Sequence, residues 1–254
     1  SVAPEAEVDL GALDEAVSRL QNLVTMRQAR VDQAVVPWPE LRVKLARGRF
    51  LLAQALQERG NAEQAVRAFK QVLKDTSDLS DFIAQMRMEM LQMRQQSYVA
   101  LASDPAGESN AESKQTYSTE AELVRARLLW VRAGYRIQAA GRALDVKLCD
   151  DVLAEDIEPG IALMVEHADA AEDQALAHTA LGDLYMQKAR VLSFKMALLR
   201  KQAQDLSRDP TRHEQAAARN AEAMAILPQI GMAQQGGTGS YGRAIELNPD
   251  LDRP

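Results

Sequence analysis

The chain has 254 residues, 46% hydrophobic and 26% charged, enough apolar material for a sizeable core in one elongated domain or two small ones. Its formal net charge of -6 and pI near 5.3 provide no basic field of the kind that phosphate backbones require, which argues against nucleic acid as a partner. Only 4% of residues are aromatic and β-branched runs are nearly absent outside "AVVPW", so the expected class is all-α.

A single cysteine, Cys149, excludes an intrachain disulfide framework and a multi-cysteine metal site. The longest apolar run is about "IALMV", far below the roughly 18 to 20 residues that span a bilayer, and the start "SVAPEAEVD" does not read as a signal peptide. A soluble protein of the cytoplasm or of a bacterial periplasm is expected, with no membrane span. The excess of Arg over Lys hints at a GC-rich source.

In chain order, residues 7–33 carry Leu10, Leu13, Val17, Leu20, Val24 and Val31 at three- and four-residue steps, which predicts an amphipathic helix. "VVPWPE" ends it, because two prolines remove donors and force extended geometry before each ring; the next helix starts near Pro39 or Glu40 and runs to Arg59. Gly60 and Asn61 permit a tight turn into a helix from Ala62 to about Lys74, antiparallel to the first. "DTSDLSDF" supplies caps for a helix over 79–102, on which Phe82, Met86, Met90, Met93, Ser97 and Leu101 form a stripe. The polar, aperiodic segment 103–119 reads as a flexible loop.

Thr119 and Glu122 have capping-box spacing and open a helix toward Gln138 or beyond, and a shorter one follows to Leu153. Pro159 starts a helix through Met164, a longer pattern covers about 172–206, and Asp209 with Pro210 caps a helix to about Leu227. "QQGGTGS" breaks the pattern before a last short helix ending at "LNPD". About ten helices result, with mostly short joints, and such a series buries its apolar faces by stacking hairpin on hairpin.

The stretch "LLAQALQERGNAEQAVRAFKQVLKD", residues 51–75, resembles a tetratricopeptide repeat, a 34-residue pair of antiparallel helices. With Gly60 as the turn, Leu52 and Ala53 take the packing point of the first helix and Ala65, Phe69 and Val72 line the second; Val72 replaces the usual Ala. Echoes occur at "WVRAGYRIQAAG" (Trp130, Gly134, Gly141), at "HTALGDLY" (Leu181, Gly182, Tyr185) and at "YGRAIELNP" (Tyr241, Ala244, Leu247, Pro249). Ala53, Gly134 and Gly182 are not spaced by multiples of 34, so the array is irregular. The resemblance implies stacked antiparallel hairpins in a right-handed superhelix. The expected divisions are an N-terminal helix (1–36), a hairpin with a Met-rich helix (37–104), a flexible loop (105–119) and irregular repeats (120–254).

The resemblance also implies a concave groove lined by Arg47, Phe50, Gln54, Gln57 and Glu58, by Tyr135 and Gln138, and by Thr179, Asp183, Met186 and Gln187. Amide, aromatic and charged groups suit an extended peptide or a partner's helix. The Lys and Asn pair that clamps a terminal carboxylate in chaperone-binding relatives is missing.

Charge is segregated: residues 148–187 hold ten carboxylates and no Lys or Arg, a solvated acidic face or half of a docking dipole that could pair copies of the chain. His167 and His178, 11 residues apart, would be separated by about 16 Å even on one helix, too far to share a metal. "GTGSYG", 237–242, matches G-x-G-x-x-G but lacks the strand before it that dinucleotide binding requires, and reads as a flexible loop. No catalytic constellation, cofactor motif or metal site emerges. The expected function is a non-catalytic scaffold that binds a protein segment in its groove, within a bacterial assembly. The alternative is a periplasmic solute-binding component associated with a transporter, recognisable by a closed apolar cavity with convergent polar groups.

Overall fold

The computed structural model describes residues 10–34, 38–79, 82–107, 109–143 and 145–252. Residues 7–9 of the first expected helix, 35–37 of the proline break and 80–81 of the capping segment lie outside them. The described residues are helical throughout, with no strand among them: α1 (Leu10–Gln33), α2 (Pro39–Glu58), α3 (Ala62–Asp75), α4 (Ala84–Ala102), α5 (Ala111–Ala143), α6 (Val146–Val152), α7 (Glu158–His167), α8 (Gln174–Leu206), α9 (His213–Ala225) and α10 (Leu227–Leu247). A π-helical turn, Leu153–Ile157, joins α6 to α7 without a break. Ile226 keeps helical angles (φ -80, ψ -27) between α9 and α10, and Pro228 sits in the first turn of α10. Among the described residues eight continuous helices therefore stand where about ten were expected. The chain divides into two compact units, the first ending at Ala121 and the second beginning at Glu122, both within α5.

In the first unit, Pro39 occupies the first turn of α2, where its missing donor is harmless. Gly60 takes φ +83 at the turn, a conformation that side chains resist, and the hairpin closes through Asn61 N donating to Leu56 O at 2.8 Å. Ala53 and Ala65 are wholly buried, so the axes of α2 and α3 approach closely; Phe69 and Val72 fill the space beyond them. Val17 brings α1 into the same core, and Arg49 on α2 ties α1 and α3 together by binding Gln28 and, at 2.6 Å, Asp75.

α4 begins at Ala84 and not at 79, yet the expected stripe is present, with Phe82, Met90, Met93, Ser97 and Leu101 all buried. The flexible loop expected over 105–119 is corrected. α5 starts at Ala111, capped by Asn110, whose Oδ1 accepts from Ser113 N at 2.7 Å. Thr119, expected as a cap, is buried in mid-helix. The polarity of 111–119 belongs to the outward face of a helix with no Pro or Gly to break it, while Tyr117 faces Tyr98 with ring centroids 6.3 Å apart.

In the second unit, α10 lies along the 33-residue α8 and buries Ile230, Ala233, Gly237, Ser240 and Ala244, a 3-4-3-4 spacing. The break expected at "QQGGTGS" is also corrected: 234–240 is continuous helix. A Cβ on Gly236 would fall 2.9 Å from the Tyr185 ring, and one on Gly237 would fall 3.0 Å from Met186 Sδ. Glycine weakens a helix by roughly 1 kcal/mol per residue relative to Ala, yet only a bare backbone lets α8 and α10 approach this closely. The "GTGSYG" string sits inside this helix, so its amides serve the helix and make no phosphate cradle. The remaining core joins α5, α6, α7 and α8 through residues such as Leu123, Val152, Ile157, Met164 and Leu184.

Candidate functional site

Helices α2 and α4 share a side of the first unit. Arg42 on α2 lies over the Phe82 ring just before α4, 4.8 Å from its centroid, and Arg47 Nε donates to Glu89 Oε1 at 2.6 Å. Both contacts join residues about forty apart, so the two helices run parallel, with α3 returning between them. Along α2, Arg47, Leu51, Gln54 and Glu58 recur at three- and four-residue steps and are exposed. On α4 the same face carries Glu89, Gln92, Gln96 and Val99. Leu51 is 44% exposed and Val99 50%, both beyond what a core requires. The surface thus combines amides and two apolar side chains around an ion pair that neutralises itself.

Of the groove residues expected here, Arg47, Gln54, Gln57 and Glu58 are exposed, but Phe50 is not. Phe50 is buried and meets Phe69 edge to face at 6.2 Å, so it belongs to the core. Leu51, Gln92, Gln96 and Val99 were not anticipated. For the two glutamines the signal was present in "EMLQMRQQSYV", where the polar residues recur at helical spacing opposite the methionines.

In the second unit, Tyr135 (59% exposed) and Gln138 face outward on α5. Of the four residues expected on α8, Asp183, Met186 and Gln187 touch neighbouring helices, while Thr179 bonds to its own helix; all four are half-buried. Thr179 Oγ1 donates to Ala175 O at 2.9 Å, Asp183 accepts from Tyr241, Met186 abuts Gly237, and the Gln187 amide abuts Gly134. A regular repeat would leave that face free, but α10 covers much of it.

The acidic segment is occupied internally. Asp150 binds Lys195 and Glu158 binds Lys188, each at 2.6 Å, while Asp151 binds Lys147 at 3.0 Å. Asp169 pairs with His178 at 2.9 Å, and Asp173 caps α8 through Leu176 N. At the π-helical turn, Asp156 is wholly buried and holds two guanidiniums of α5, Arg132 and Arg136, the latter at 2.9 Å; Arg136 also reaches Glu155 at 2.7 Å. Burial would lower the Arg136 pKa, but its bond to Glu155 and the charges of Asp156 and Glu155 raise it. Asp150, Glu155, Asp156 and Glu158 thereby fasten α6, its π turn and α7 to α5 and α8.

An open, mostly polar depression of about 550 Å³ is lined by Asp145, Val146, Lys147, Asp150, Gln202, Arg219 and Glu222. It lacks the closed apolar character of a solute pocket, and its charges are already paired, Arg219 with Glu222 at 2.7 Å and Lys147 with Asp151. Among the described residues no helix is long and apolar enough to cross a membrane. No known protein family, curated protein or solved structure matches this chain.

Proposed function

We propose that this protein is a scaffold of the tetratricopeptide type, in which the α2/α4 face of the first unit binds an extended segment or helix of a partner protein. The observation that carries the reading is the parallel α2/α4 pair, held in register by Arg47 and Glu89 and exposing Gln54, Gln92 and Gln96 beside Leu51 and Val99. Amide side chains both donate and accept, so they suit the main chain of a bound segment, while Leu51 and Val99 offer apolar contact. The hairpin of Ala53, Ala65 and Phe69 is the support that holds the pair rigid.

Photo-crosslinking residues placed at Gln54 and Gln96 test this in the native host. They are expected to capture one and the same partner, and a crosslinker at Lys70, exposed on α3, is expected to capture none of it. Equal capture at all three positions removes the α2/α4 face from consideration.

A further inference from the structure

The exposed side of α10 differs in chemistry from the rest of the surface. Residues 223–242 form the longest run in the chain without a charged residue, 20 positions in a protein that is 26% charged, and 12 of them are exposed. Solvated helix faces normally carry charge, and interface cores are depleted of it. Met232 is 63% exposed and Leu227 41%, although the inner side of the same helix packs against α8. Gly231, Gly239 and Gly242 share this outer side, and a Cβ on any of them would meet nothing within 4 Å. Unlike Gly236 and Gly237, they weaken the helix without admitting a neighbour from within the chain.

Charge and symmetry indicate what covers this face. The chain carries -6, so two copies meeting over most of their surface would oppose like charges, whereas an uncharged helix face brings them together without that repulsion. A partner recognised by charge would find nothing to read there. A two-fold contact must also be complementary to itself. Around Gln235, Gly231 and Gly239 stand four positions away on either side, and Pro228 and Gly242 seven. An antiparallel crossing centred on Gln235 sets Gly231 against Gly239 and Met232 against Thr238, so bare backbone faces bare backbone at the closest approach.

We propose that two copies of this chain associate through the outer face of α10, antiparallel about Gln235. The inference is independent of the α2/α4 reading. It is tested on the full chain by sedimentation velocity over a concentration series, with wild type expected as a dimer and Gly239→Arg as a monomer at the same concentrations. Space around Gly239 lets the variant fold, which a wild-type far-UV circular dichroism spectrum and a cooperative thermal melt would check. In a Cys149→Ser background, Gln235→Cys is expected to form an intermolecular disulfide on mild oxidation. Wild type that stays monomeric throughout overturns the proposal, as does an oligomer that Gly239→Arg leaves intact.

Discussion

The hydroxyl of Tyr241 donates a 2.7 Å hydrogen bond to Oδ1 of Asp183, while its ring covers the bare backbone of Gly182, the preceding residue on α8. One side chain of α10 thus fixes both register and distance against α8. A Cβ on Gly182 would fall 2.5 Å from Tyr241 Cε1. Gly182→Ala is therefore expected to destabilise the fold by about 1–3 kcal/mol through overpacking. At high dilution, Gly239→Ala is expected to stabilise it by about 0.5–1 kcal/mol, since helix propensity is all that changes there. Urea unfolding of the two variants checks the contrast, and effects of the same sign would contradict it.

The same tyrosine predicts a pH dependence. Burial, and then the hydrogen bond and charge of Asp183, push its phenol from 10.0 up to about 12. The folded chain holds this proton more tightly than the unfolded one, so the associated stability is complete below pH 10 and is lost as the pH rises from about 10 toward 12. The difference in unfolding free energy between wild type and Tyr241→Phe should narrow across that window. A difference that stays constant would count against the assigned cause.

At the π-helical turn the two sides of the ion cluster are unequal. Asp156 is wholly buried, while the Arg132 side chain is 49% exposed and that of Arg136 24%. Removing both arginines strands a buried carboxylate, and the double alanine variant is expected to lose about 3–5 kcal/mol. Asp156→Ala is expected to lose less, because the freed guanidiniums can turn to water. Chemical denaturation of both variants ranks them, and the reverse order would show that the arginines do not reach solvent.

Cys149 is buried, and burial followed by the charge of Asp150 raises its thiol to about 11. Little thiolate forms near neutrality, so iodoacetamide is expected to leave the native protein unmodified and to react once urea unfolds it. Mass spectrometry of the alkylated chain reads the outcome directly. Rapid native labelling would mean that the α6 region opens.

Phe50 and Gln54 stand four residues apart on α2 with opposite surroundings. Phe50→Ala is expected to cost about 3–5 kcal/mol, because it empties the contact with Phe69. Gln54→Ala is expected to stay within about 0.5 kcal/mol in stability while weakening partner capture. Thermal melts paired with the crosslinking assay separate the two roles.

Much of the helical pattern was legible locally. Pro39 and Gly60 act through their own backbone and Asp209 through its own side chain on the turn that follows, so the ends of α2 and the starts of α3 and α8 lie within a few residues of expectation. The two misread segments share a cause. Residues 111–119 are polar and "QQGGTGS" is glycine-rich, and both composition signals indicate a loop only if nothing packs on the segment. Tyr117 beside Tyr98, and Gly236 beneath Tyr185, are contacts between residues far enough apart in sequence that no local window holds both.

The candidate face divided in the same way. Exposure of Gln54 and Glu58 follows from the α2 periodicity, but Phe50 lies inside because α3 brings Phe69 against it. Likewise α4 joins the face only because the chain turns back through α3 and carries Glu89 to Arg47. The sequence by itself determined the all-helical class and the hairpin at Gly60, since propensity, turn chemistry and apolar period are properties of neighbours along the chain. Tertiary structure alone decided that the acidic segment is spent on internal ion pairs, that the glycines of α10 belong to a helix, and which side of α2 stays open. Each of those outcomes depends on what packs opposite a residue, and only the folded chain supplies that neighbour.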